Sequence, residues 1–410
     1  MSEQTHTAIS EPLPTAAATF PQQSYVDIFL RFLRFGALAW GGPVAQIAMI
    51  RQELVEEERW ISPARFNRVL AVYQALPGPE AHELCVYFGM LARGRIGAVL
   101  AGLGFMLPGF VLMFLLSWFY VTYGVNWPLF TALFQGVQPA VAALIVRAIH
   151  RIGGHALHND AWLWGIALGA AAAQLFQINF LLTLIVAGVI YALVKRQQTW
   201  LATGLALIFG FYGAWQGSPA LWMHDPATVT ATATQAPSLL TLLVAGLRTG
   251  LLTFGGAYTA IPFLQHDAVE VGQWMTQAQF LDSLALSGIL PAPLIIFATF
   301  VGYLGGGPLG ALVLTVGVFA PAFAFTLIGH EYLERLVENK AMHAFLDGIT
   351  AGVVGLISAT ALGILDATVV GEPAWLIFAL GLLVLFRWKA KVAVAAVVLG
   401  AGVLGLLFYA

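Results

Sequence analysis

Charge is scarce in this sequence of 410 residues: only 9% are Asp, Glu, Lys or Arg, against about 25% in an ordinary soluble domain. So few charges cannot clothe a water-exposed surface, which excludes a soluble globular fold. Cysteine is nearly absent. The single Cys85 allows neither an intrachain disulfide nor a thiolate metal cluster, and it reads as a small buried hydrophobe. No Gly-Lys-Ser/Thr run exists, so there is no phosphate loop, and the histidines from His150 to His158 lack metal-ligand spacing. No cofactor, metal or nucleic-acid partner is expected. The N-terminus lacks the basic start and apolar core of a secretory signal, and residues 1–24 read as a disordered cytoplasmic tail.

Apolar residues are abundant, at 60% of the chain with a mean hydropathy of +0.84. They form blocks near 28–50, 67–91, 96–122, 129–150, 161–176, 178–194, 200–216, 239–264, 279–303, 307–330, 344–366, 373–387 and 392–409. Most approach the roughly 17–25 residues that cross a bilayer core. The expectation is an all-α polytopic membrane protein of about 13 transmembrane helices, with the lipid bilayer as its partner. With 13 full spans, Arg93, Arg95, Arg147, Arg151, Lys195, Arg196, Arg335, Lys340, Arg387, Lys389 and Lys391 share one side. That side is read as cytoplasmic, with the N-terminus inside, the C-terminus periplasmic, and 28–50 and 239–264 as full spans rather than re-entrant segments.

The sequence repeats itself. Arg34, Gly36, Gly41 and Gly42 recur 214 residues later as Arg248, Gly250, Gly255 and Gly256. The same offset relates Trp60 to Trp274, Pro77 to Pro291 and Pro79 to Pro293, and an offset of 213 relates Gly94 to Gly307 and Pro108 to Pro321. Chance matches do not keep tryptophans and prolines in order under one offset. Residues 25–198 and 238–410 are therefore read as two transmembrane repeats, and 199–237 as a bridging helix and loop. One bridging span between two even-numbered repeats makes them inverted, an arrangement common among secondary transporters.

In such folds the substrate sits near the midplane, where helices are interrupted. The first pair of interruptions is Gly41-Gly42-Pro43 and Gly255-Gly256. Paired glycines allow unusual backbone angles, and amide groups freed at a helix restart can hold an anion; tight packing through small residues is the bland alternative. The second pair is Pro77-Gly78-Pro79 and Pro291-Ala292-Pro293, where proline removes donors and breaks the helix. Arg34 and Arg248, about two turns before the Gly-Gly pairs, would offer bidentate guanidinium contacts to an oxyanion, or snorkel to headgroups. Glu80, His82 and Glu83 are answered in the second half by Leu294, Ile296 and Phe297. That asymmetry suggests proton coupling rather than a substrate cradle, with a salt bridge as the plainer option. His266, Asp267 and Glu270 read as solvated loop positions.

These motifs resemble the chromate transporter family in its long, two-domain form. The resemblance rests on Trp40-Gly41-Gly42-Pro43, Trp60, Leu76-Pro77-Gly78-Pro79-Glu80 and Leu107-Pro108-Gly109, then on Thr253 to Tyr258, Trp274 and Pro291 to Ile295. Trp40 stands where the family has Phe, and Ala292 where it has Gly. The resemblance implies a chromate exporter of the bacterial inner membrane conferring chromate resistance, with Tyr258 joining the substrate-binding residues. Sulfate or another oxyanion, uptake included, is the alternative, a membrane enzyme a more distant one, and a homodimer stays open. A dianion leaving a negative interior gains roughly 4.6 kcal/mol per 100 mV, which favours export.

Overall fold

The computed structural model describes residues 23–40, 42–124, 127–157, 160–216, 236–254, 256–337, 340–388, 390 and 392–410. The tail expected over 1–24 falls almost wholly outside these residues, as do Gly41, Gly255 and most of the bridging loop. Fifteen α-helices and no strand occur among them. The chain is an all-α membrane protein.

The first half opens with α1 (Tyr25–Ala37) and α2 (Gly42–Arg51), the latter running into a π-helical turn over Gln52–Glu57. Ser24 and Asp27 form a capping box that starts α1, satisfying amides that the helix leaves free. Gly42, at φ +77°, starts α2, and the chain then reverses. Arg31 is ion-paired to Glu53 and Glu58, and Arg34 to Glu53. On a continuous helix Arg31 and Glu58 would lie about 40 Å apart. The segment expected as a full span over 28–50 is therefore a helical hairpin, because the glycine break stops α1 after about 20 Å, short of a ~30 Å core.

The block expected over 67–91 folds likewise. Helix α3 (Pro63–Ala75) ends at the proline break, and α4 (Glu80–Thr122) begins just beyond it. Ring centroids of Phe66 and Phe88 lie 6.4 Å apart, and those of Tyr73 and Tyr87 6.2 Å, so the two arms lie side by side. Helix α4 turns back once more at Arg93-Gly94, where Gly94 takes φ +63°. Gly89 and Gly97 pack backbone to backbone there, and a methyl at either would overlap the other's carbonyl oxygen. Only glycine allows that approach.

The second half repeats these turns. Helices α9 (Leu239–Leu252) and α10 (Ile261–Gln265) lead into a π-helical turn over His266–Val271. Arg248 is ion-paired to Asp267, which closes the second hairpin and replaces the span expected over 239–264. Helix α11 (Gln277–Ile289), the proline break, a 3-10 turn over Leu294–Ile296 and α12 (Phe297–Val337) follow. Phe280 and Phe297 meet at 5.8 Å, so 279–303 is a hairpin too. Gly307 has φ +61°, nearly that of Gly94. Arg59 and Gln273, 214 residues apart, carry positive φ of 54° and 50°.

Among the described residues four stretches are long and apolar enough to cross a membrane: Glu80–Thr122, Pro128–Ala156, Leu294–Gly329 and Met342–Thr368. They comprise the long arms of α4 and α12 together with α5 (Pro128–Ala156) and α13 (Lys340–Thr368). Shorter pairs follow each: α6 (Ala161–Leu175) with α7 (Phe180–Lys195), and α14 (Glu372–Arg387) with α15 (Ala393–Tyr409). The halves exchange these pairs. Helices α6 and α7 pack on α13, whereas α14 and α15 pack on α5. Gly136 of α5 meets Gly405 of α15, and Gly348 of α13 meets Gly188 of α7, each in backbone contact. Small residues bring helices together in this way where water supplies no driving force. The bridging segment is helical as α8 (Thr199–Gln216), which packs chiefly on α7 and exposes Trp200, Leu207, Phe211 and Trp215.

Candidate functional site: a cationic cavity at the helix breaks

A cavity of about 700 Å³ lies where the hairpin tips of the two halves meet α5. Trp40, Gly42 and Pro43 line it from the first hairpin, Tyr258 from the second, and Ala292 and Leu294 from the second proline break. Space is open around Gly42 and Gly256: a methyl built on either meets nothing within 4 Å. The remaining break is tied to the others, since the Gly78 N–H donates to the Thr253 carbonyl at 2.8 Å. The duplicated interruptions therefore converge.

The wall opposite the tips is α5, which contributes Arg147, His150, Arg151 and His155. Among the described residues no carboxylate lines the cavity. Among the described residues neither Arg147 nor Arg151 has an acidic partner, while Arg31, Arg34, Arg51 and Arg248 all do. Arg151 instead sits over the Tyr258 ring, 5.8 Å from its centroid, a contact that fixes a guanidinium without neutralising it. Half-buried guanidiniums without an ion-pair partner beside helix breaks give the cavity a positive wall. They also offer the planar donor fork that oxyanions accept in bidentate fashion.

The residues singled out from sequence separate into three groups. Gly42, Pro43 and Tyr258 line the cavity. Pro77, Gly78, Pro79, Pro291 and Pro293 form the breaks behind it, Pro77 to Pro79 being buried. Arg34 and Arg248 are not at the cavity; carboxylates of their own hairpins hold them. Asp267, expected in a solvated loop, is 4% exposed and forms one of those pairs, because the hairpin folds it inward. The acidic cluster also divides. Glu80, the first residue of α4, lies within the electrostatic reach of Arg151 and His155. His82 and Glu83 are fully buried. The His82 ring packs on Phe319 and Phe323 of α12 at 4.9 and 4.8 Å, and Glu83 turns towards Gly78.

Arg147 and Arg151 escaped the sequence reading because they fall near a helix end and count as flanking charges there. A signal was available: α5 carries two arginines and two histidines over 29 residues with no acidic residue. Arginine so placed in an apolar helix is costly and is kept for a partner or a ligand.

Comparison with known proteins bears on what that ligand is. A family model described as chromate transporter matches the chain twice, over residues 26–193 and 240–406. A chromate transport protein of Pseudomonas aeruginosa is 55% identical over 402 residues, covering 96% of this chain and 95% of the relative. A chromate transport protein of Cupriavidus metallidurans is 30% identical, with 97% and 98% covered. An uncharacterized transporter of Bacillus subtilis, YwrB, is 32% identical over 162 residues, which make up 80% of it but 38% of this chain. No solved structure matches. The double match falls on the two halves that share hairpins, glycine turns and proline breaks, and the chain belongs to the chromate transporter family.

Proposed function

We propose that the protein is a secondary transporter that exports chromate from the cytoplasm, driven by the membrane potential or the proton gradient and so conferring chromate resistance. The observation that carries this reading is the pair of guanidiniums, Arg147 and Arg151, which have no ion-pair partner among the described residues and line a cavity bordered by helix breaks from both halves. Chromate is a tetrahedral dianion, and two arginine forks with free amides at the Gly42 restart match its charge and its oxygens. The relatives named for chromate transport support the choice of substrate. Sulfate, a near-isostere, is the competing ligand.

The hairpins strengthen the case for orientation. Each returns to the side it left, so crossings come from the long arms of α4 and α12, from α5 and α13, from the shorter pairs, and from α8. Among the described residues every Lys and Arg except Arg248 then falls on the side of the N-terminus, which the positive-inside rule assigns to the cytoplasm. The repeats are inverted through α8, residues 199–237 bridge them, and the C-terminus lies in the periplasm. The cavity is bordered by the Arg151–His155 end of α5 and by Ala390, and so opens to the cytoplasm of an inner membrane. Of the three acidic-cluster residues, Glu80 is the coupling candidate, since it faces the cations of the cavity. Arg34 and Arg248 serve the hairpins rather than the ion.

Chromate flux in proteoliposomes tests the proposal. A saturable efflux that grows with an imposed inside-negative potential or a pH gradient is expected, and flux that ignores both or never saturates would refute it.

A further inference from the structure

Beyond the closed end of the cavity lies a second buried polar cluster that the mechanism above does not use. Asp282 of α11 is 4% exposed. Its carboxylate accepts a hydrogen bond from the Tyr120 hydroxyl of α4 at 2.7 Å and from the Gln138 side-chain amide of α5 at 3.3 Å. Among the described residues no cation pairs with it. The other elements packed on α11 are α12, α15 and the 3-10 turn at Leu294–Ile296. Along α15 and that turn the sequence holds no charged residue, and on α12 none before Glu331. Among the described residues, the titratable group hydrogen-bonded to Asp282 is Tyr120.

Position gives the cluster its meaning. Ser287 and Gly288 of the same helix line the cavity, about 8 Å along α11 from Asp282. On α5, Gln138 lies about 14 Å beyond Arg147, on the side away from Arg151. The carboxylate thus stands on the side of the chamber away from the Arg151–His155 end, and a dianion leaving by that side would move past it. Neutral donors leave its charge uncompensated, and an uncompensated charge away from water is costly. A charged carboxylate would also repel an oxyanion moving past it. We propose that Asp282, held by Tyr120 and Gln138, is a proton-binding site on the exit side of the cavity, occupied and emptied once in each transport cycle. The proton binds one carboxylate oxygen and leaves from it, with no other bond made or broken.

This inference rests on the transport reading, and the test separates the two. In proteoliposomes, wild-type protein is compared with Asp282→Asn, which keeps the shape and both neighbours. The two readouts are chromate–chromate exchange and net flux under a one-unit pH gradient. A wild type without saturable chromate flux would sink the transport reading itself. Where flux is present, the inference expects the pH gradient to change wild-type net flux several-fold. In Asp282→Asn the ratio of gradient-driven flux to exchange should fall at least tenfold. A variant that responds to the gradient as the wild type does would overturn the assignment. If Asp282→Asn fails to insert, Gln138→Ala substitutes for it: removing one donor should move the midpoint of the flux–pH profile, and an unmoved midpoint counts against Asp282.

Discussion

Arg248 is ion-paired to Asp267 as Arg34 is to Glu53, and both partners of one pair lie 214 residues beyond those of the other. The repeat has thus preserved an interaction as well as its residues. Each pair joins the outgoing and returning arms of a hairpin whose tip carries a glycine break, so the ion pairs set where the tips end. Their environments differ. Asp267 is 4% exposed, whereas the Arg34 side chain is 55% exposed.

That difference predicts unequal costs. Asp267→Ala leaves Arg248, one-third exposed, without its partner and should cost about 2–3 kcal/mol, less than the loss of a fully buried pair. Arg34→Ala breaks an exposed pair worth about 1 kcal/mol or less. Thermal unfolding in detergent should place the first far below the second. Exchanging the two residues, Arg248→Asp with Asp267→Arg, should recover part of the loss. Equal melting temperatures for the two single variants would contradict the burial argument.

The glycines divide into two kinds with opposite expectations. Gly42 and Gly256 have open space around them but φ of +77° and +112°. Alanine there meets backbone strain of about 1–3 kcal/mol without a clash. Gly89, Gly97, Gly302 and Gly310 sit against opposing backbone. Alanine at any of them forces the arms of α4 or α12 apart and should lower the level of folded protein in the membrane more than alanine at Gly42. Quantifying membrane protein by immunoblot, alongside chromate flux, separates the two kinds.

The hairpin topology makes a labelling prediction. Glu57 and Val271 are equivalent in the repeat, and both are exposed at the ends of π-helical turns. Cys85 is buried and can be replaced by alanine. In that background Glu57→Cys should react with an impermeant maleimide only in everted vesicles, and Val271→Cys only in right-side-out ones. Reaction of both from one side would contradict the inverted arrangement.

Much of this could be read in the sequence. The offset of 214 located the repeat, and the coordinates carry it into the backbone angles of Arg59 and Gln273. The Gly-Gly and Pro-x-Pro motifs also marked where helices stop. What they did not give was the direction of the chain after each stop. A block such as 28–50 has the length and hydrophobicity of one span, and hydropathy cannot distinguish a span from two arms of about half its length. The reversal shows only in contacts far apart in sequence, such as Arg31 with Glu58. Arg147 and Arg151 were hidden for a related reason. Helix α5 has 29 residues and is about 44 Å long, so charges near its end read as lying outside the membrane although the hairpin tips reach them.

Equilibrium binding of labelled chromate to the purified protein decides between the two sets of arginines most directly. Removing one charged hydrogen-bond donor from the ion is worth about 1.5–3 kcal/mol, or roughly 10- to 150-fold in Kd. Arg151→Ala is expected to weaken binding by that factor, and Arg34→Ala to stay within about threefold of the wild type. Loss of binding in Arg34→Ala with full affinity in Arg151→Ala would contradict the cavity as the chromate site.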